Sequence, residues 1–228
     1  AHAYVGRNRE EDRKRARDAA ARSVRLDGAI AYGHAMLAMI SLYLDWNFEG
    51  AEVEYRRALE LDPKNPYALA EYVDLLRVKA RHHEALGMLR KARTASPALP
   101  VLAAKEAEVL ADLNLLDAAE RAAREALELQ KDNGRSRVVL GLVFERRGRL
   151  DSALAEYRKA LEIDAFDRRA LPAAGFVLAK LNRREEAVEV LRKLETMNAR
   201  VRNCSTQIAV VHAGLGNKAD ARAWIEKA

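Results

Sequence analysis

Alanine recurs every 34 residues along most of the chain, at Ala51, Ala85, Ala119, Ala153, Ala187 and Ala221. A fixed period of this size constrains the fold more than length does. Each period is one supersecondary unit that can bury its apolar face only against its neighbours. Seven residues on lies a second column, Ala58, Ala92, Ala126, Ala160, Leu194 and Ala228. Between the two runs a larger column of Tyr55, Leu89, Ala123, Tyr157, Leu191 and Ile225. Offsets of four and then three residues place all three columns on one face of a helix. A small–large–small stripe of this kind lets a neighbouring helix nest closely, and alanine, about one residue in five here, has the best helix propensity.

The preceding half of each period also reads as a helix. It carries Leu140-Gly141 and Ala174-Gly175 where two helices are expected to touch, with Ala38, Val73, Ala107 and Ala209 at that place in the other repeats. Breaks fall at a constant phase, at Asn114, Gly148, Asn182 and Gly216. Asn and Gly accept the left-handed conformation that closes a helix. The second helices end at Leu61-Asp62-Pro63 and Ser96-Pro97, because proline cannot continue a helix and moves the residue before it out of helical geometry.

These positions resemble the tetratricopeptide repeat, a 34-residue helix–turn–helix with Leu-Gly, Ala, aromatic, Ala and Pro at set places. VVLGLVFERRGRLDSALAEYRKALEID (138–164) carries the pattern most fully. The resemblance spans about residues 31–228. It implies an all-α fold: a right-handed superhelix, or solenoid, of about six antiparallel helix pairs. The chain departs from the pattern at Lys131, Ala165 and Ala199, which replace the terminal proline, and at Ala123, which reduces the aromatic column. We read 1–228 as a single solenoid with repeats at 31–65, 66–99, 100–133, 134–167, 168–201 and 202–228. The first repeat is one residue long, with the extra residue expected in the turn near Leu44-Asp45-Trp46, and 9–25 reads as the last helix of an earlier unit.

Net charge is +6, with 29 Arg against 11 Lys. The bases alternate with acids, as in RNREEDRKRARD (7–18), which reads as a solvated helical surface. A nucleic-acid surface gathers its basic residues on one face, so that reading is kept only as an alternative. The lone Cys204 leaves no disulfide framework and no cysteine-based metal site. No apolar run is long enough to cross a bilayer. The first residues, AHAYVGRNREED, lack the layout of a signal peptide. A cytoplasmic location is expected, with targeting unresolved because the chain opens without Met and reads as starting inside a helix.

Residues able to do chemistry do not converge. His82-His83 are adjacent and diverge on a turn, with no third ligand at useful spacing. His34 reads as a packed histidine. Cys204 and His212 lie eight residues apart, with nothing to orient the imidazole as a base. GLGNKAD (214–220) lacks the spacing and preceding strand of a phosphate loop. The expectation is a chain without enzyme activity, cofactor or metal.

Family geometry puts the first helix of each pair on the concave surface, where a protein or peptide partner binds. The matching positions include Tyr32, Met39 and Leu42, then Tyr67, Asp74 and Arg77, then Glu108. They continue with Arg135, Val138, Leu142, Glu145, Arg169 and Phe176. The resemblance implies a groove for an extended peptide or helix, with aromatic anchors and with Arg77, Arg135 and Arg169 pairing with the partner's acids. The family's clamp for chaperone tails is missing, since its places hold Ala35, Met39, Glu71, Val101 and Lys105. The end segments 41–63 and 201–228 resemble the repeat regions of bacterial signalling proteins that carry winged-helix, serine/threonine kinase or nucleotide cyclase domains. Trp224 and Ile225 on the last helix suggest self-association.

Overall fold

A computed structural model describes residues 9–201 and 204–228, and every regular element among them is a helix. The first residues, read above for targeting, and the junction of the last two repeats at 202–203 lie outside the described residues. The chain divides into two compact units, 1–105 and 106–228. The first contains α1 (Arg9–Leu26), α2 (Ala31–Tyr43), α3 (Phe48–Leu61), α4 (Pro66–Val78) and α5 (His82–Ala95). The sixth helix, α6 (Pro100–Asp112), runs across the division. The second unit continues with α7 (Leu116–Leu129), α8 (Gly134–Arg146), α9 (Leu150–Ile163) and α10 (Ala170–Lys180). It closes with α11 (Arg184–Val201), α12 (Ser205–Gly214) and α13 (Lys218–Glu226).

Within each unit a helix packs on its sequence neighbours, and first helices also pack on the next first helix. This holds for α2 on α4 in one unit, and for α8 on α10 and α10 on α12 in the other. Short polar residues set the helix starts. Asn65 and Asn133 each accept an N–H three residues on, from Ala68 and Ser136, at 3.0 Å. Asp167 does the same for Ala170 at 2.7 Å. Each satisfies a backbone donor that the first helical turn leaves without a partner.

The turns inside the pairs are left-handed where the sequence leads one to expect it. Asn114, Gly148, Asn182 and Gly216 have φ of 58°, 73°, 59° and 78°. Trp46 and Ala80 share this conformation, with φ of 53° and 56°, and their residue types gave no warning of it. Four residues, 44–47, separate α2 from α3, where three, 79–81, separate α4 from α5.

The second-helix columns form the core. Ala51, Ala85, Ala119, Ala153 and Ala187 are fully buried, as are Tyr55, Leu89 and Ala123. The small residues opposite are required by contact. A Cβ at Gly141 would sit 2.4 Å from the Tyr157 ring, and one at Gly175 would sit 2.8 Å from both Val190 and Val211. Ile225, the last member of its column, is 62% exposed.

An ion clamp that the 34-residue frame does not show joins helices in both units. Glu52 on α3 accepts hydrogen bonds from Arg56 (2.6 Å), Lys79 (2.7 Å) and Arg81 (2.6 Å). Tyr72 donates to it as well, at 3.2 Å. Glu120 on α7 holds the matching place and takes Arg124 and Arg147. The first-turn acids match too, since Glu49 bonds Lys79 and Asp117 bonds Arg147. Each of these four places recurs at a spacing of 68 residues, twice the repeat. Burial alone would push the Glu52 carboxyl up, but the Lys79 and Arg81 hydrogen bonds and charges outweigh it and hold it at about 2.

Candidate partner-binding faces

The residues predicted from sequence as partner contacts lie on the first helices, except Arg169, which immediately precedes α10. In the first unit Tyr32 on α2 and Tyr67 on α4 hold corresponding places, and they are 61% and 74% exposed. Apolar burial is favourable for rings of this size, so leaving two of them in water gains nothing for the fold. Met39 on α2 is half-buried. Asp74 on α4 bonds the ammonium of Lys105, a side chain only 1% exposed, and accepts from Arg77 at 3.4 Å. A buried ammonium needs such a partner, because desolvating an unpaired charge costs several kcal/mol.

In the second unit Glu108 on α6 is 3% exposed. It bonds Arg135 of α8 at 3.4 Å and Arg169, just before α10, at 2.5 Å. One carboxylate thus ties guanidiniums from two successive repeats. Leu142 is half-buried on α8, and Phe176 on α10 lies under the Lys180 ammonium at 5.4 Å and against Gly214. Tyr157 reaches the same helix layer, donating its hydroxyl to Glu145 at 2.7 Å.

The three arginines read as ligands for a partner's acids therefore already bond carboxylates of this chain. A guanidinium carries five N–H donors, so these bonds use part of its capacity and fix its position. Position within the repeat put Arg77 and Arg135 on first helices and Arg169 just before one, but did not show the pairing among these side chains. Lys105 and Glu108 gave no sign of it, because their partners lie 27 to 61 residues away.

Three of the residues considered for chemistry, His34, His212 and Cys204, are buried. His34 is buried, its Nδ1 2.6 Å from Glu54 and its Nε2 3.3 Å from the Gly28 carbonyl. His212, for which the sequence suggested no acid partner, lies 3.9 Å from Asp220 and 3.4 Å from the Asn217 amide. Cys204 is buried at the start of α12. Among the described residues no three His, Cys, Asp or Glu side chains cluster as metal ligands, and no helix is long and apolar enough to cross a membrane. Trp224 is half-buried with the Lys227 ammonium 4.6 Å from its ring.

The helix-pair geometry agrees with comparison to known proteins. Residues 105–168 match the family described as tetratricopeptide repeat. Its helix pairs have the fold of the tetratricopeptide-repeat proteins. No curated protein sequence matches it significantly. Among solved structures it is similar to PilF of Pseudomonas aeruginosa, with 19% identity, a TM-score of 0.64, and 85% of this chain and 87% of that one covered. It is also similar to PilW, a widely conserved type IV pilus biogenesis factor, with 20% identity, a TM-score of 0.68, and coverage of 89% and 92%. A third is YrrB, described as having an unusual peptide-binding site, with 23% identity, a TM-score of 0.53, and coverage of 92% and 100%. At these identities the likeness establishes the fold of the tetratricopeptide proteins and leaves function to be argued from the faces.

Proposed function

We propose that this tetratricopeptide chain is a protein-interaction module without catalytic activity of its own, binding a peptide or helix of a partner on its first-helix faces. The observation that carries this is the pair of exposed tyrosines, Tyr32 and Tyr67, at corresponding places of successive first helices. Large rigid rings in that position are the usual anchors of an interface. The first unit offers these rings, with Met39 beside them in sequence register and Asp74 and Arg77 as a fixed polar pair. The second offers Arg135 and Arg169, held by Glu108, as donors to a partner's carboxylates, with Leu142 and Phe176 as apolar surface.

The setting we infer is the regulatory or sensory part of a larger bacterial signalling or transcription-regulating protein, acting in the cytoplasm. It is supported by the tryptophan-containing segment 41–63 and the segment 201–228. A contact between copies through α13 belongs to the same proposal, supported by the exposure of Ile225.

The test is affinity capture from a nuclease-treated lysate of the source cells, comparing the wild type with Tyr32→Ala/Tyr67→Ala and with Val53→Ala, an exposed residue of a second helix. Changing Arg135 or Arg169 instead would leave Glu108 buried and short of partners, confusing binding with stability. A partner held by the wild type and by Val53→Ala, and lost from the tyrosine variant, supports the reading. Equal capture by all three overturns it.

A further inference from the structure

The first unit contains a cavity away from the first-helix residues discussed above. It has a volume of about 370 Å³, is open to solvent, and is mostly apolar. It is bounded by the end of α3 and the turn after it (Leu59, Pro63, Lys64), by α5 (Met88, Lys91), and by Leu69 and Leu102 from first helices. At about 30 Å³ per water this is room for about a dozen waters, or for a few apolar side chains. Leu59 also packs on the small core of Ala35, Ala58 and Ala68, so one wall is fixed by the fold.

The second unit shows what the repeat does at the same place. Sixty-eight residues on from Leu69 and Met88 stand Arg137 and Glu156, which bond each other at 3.0 Å. Glu156 also accepts from Lys159 at 2.8 Å, and Lys159 is the counterpart of Lys91. The counterpart of Lys64 is Asp132. In the second unit the place thus holds an ion pair with its charges balanced. In the first unit both members of the pair are apolar, and two lysines stand at the rim. Among the described residues no carboxylate bonds either ammonium. Asp62, the nearest acid in sequence, accepts the Lys64 backbone N–H and the Asn65 amide instead.

We propose that this cavity is a second docking site, taking a partner-protein segment in which apolar side chains are flanked by carboxylates. The apolar groups pack against Leu69 and Met88, where the second unit has the Arg137–Glu156 ion pair. The ligand's carboxylates take the role toward Lys64 and Lys91 that Glu156 takes toward Lys159. A protein segment suits the site better than a free amphiphile, because an open cavity between helix ends covers only part of its occupant. Small-molecule sites generally enclose most of theirs.

The probes are fluorescein-labelled peptides measured by anisotropy: Glu-Glu-Leu-Phe-Leu-Glu-Glu, its counterpart with lysine for glutamate, and its counterpart with Ser-Gly-Ser for the apolar centre. Decanoate is the free-amphiphile probe. Lys64→Asp/Lys91→Glu changes exposed side chains, so its fold is expected to be retained. Leu69→Arg/Met88→Glu copies the ion pair of the second unit into the cavity. Circular dichroism melts confirm the fold of each, and Tyr32→Ala/Tyr67→Ala serves as control for the first-helix face. The acidic apolar peptide is expected to bind the wild type and the tyrosine variant alike, and at least tenfold more weakly to the lysine variant. The other two peptides are expected not to bind. Absence of binding to the wild type, equal binding by the lysine variant, or displacement from the wild type by the lysine-containing peptide overturns the proposal. Binding of decanoate without the acidic apolar peptide also overturns it, in favour of an amphiphile site. Loss of peptide binding in the tyrosine variant alone assigns the peptide to the first-helix face and contradicts the cavity.

Discussion

Two tyrosines at the same place in their repeats illustrate how burial and satisfaction differ. Tyr55 and Tyr157 are both buried, and burial pushes both phenols up from their ordinary range. The Tyr157 hydroxyl donates to Glu145, whereas the Tyr55 hydroxyl has no hydrogen-bond partner among the described residues, and its ring stacks on Tyr72 at 5.8 Å. Removing a hydroxyl bonded to a charged group costs about 1.5–3 kcal/mol, while removing an unsatisfied one is neutral or favourable. Urea denaturation is therefore expected to show Tyr157→Phe destabilised by about that amount and Tyr55→Phe unchanged or more stable. Glu52 gives a pH-dependent counterpart. Its carboxyl is held near 2 against an ordinary value of 4.5, so the unfolded chain takes up the proton first as pH falls. Its contribution is full above about 4.5 and is lost as pH approaches 2. The stability difference between wild type and Glu52→Gln should be largest above pH 5 and should shrink steadily toward pH 2. A difference that stays constant over that window would contradict this account of the clamp.

At the scale of the helix pair, the turns carry a measurable strain. Ala80 occupies the left-handed place that Gly148 and Gly216 fill elsewhere. A residue with a Cβ costs roughly 1–2 kcal/mol in that conformation, offset in part by the greater freedom of glycine in the unfolded chain. Ala80→Gly is expected to raise stability by about 0.5–1 kcal/mol, read as a higher melting temperature, whereas Gly148→Ala should lower it. The helices, their turns at Asn114, Gly148, Asn182 and Gly216, and the alanine columns were legible because each depends on one residue type recurring at one spacing. The left-handed Trp46 and Ala80 were not, since neither residue favours that conformation by itself. The clamps of Glu52 and Glu120 recur at twice the repeat, so alignment on 34 residues averages them against Leu86 and Leu154 and hides them.

At the scale of the whole molecule, the sequence put the candidate residues on or beside first helices but did not show their electrostatics. Position within the repeat was enough to place Tyr32, Tyr67 and Arg135 on first helices and Arg169 at the start of one. That Glu108 is buried between two of those arginines depends on three-dimensional spacing across repeats, which no local pattern encodes. The cavity beside Leu69 and Met88 was missed for a related reason. Two apolar residues in a repeat protein read as core until the sister unit shows an ion pair in their place. The central claim is that the first-helix face receives a protein partner. It is tested most directly by placing a photo-crosslinking phenylalanine at 32, 67, 53 or 121 in turn and exposing living source cells to light. The account predicts one and the same protein crosslinked from 32 and 67, and no such product from the second-helix positions 53 and 121. Crosslinks to that protein only from 53 or 121, or equally from all four, would contradict it.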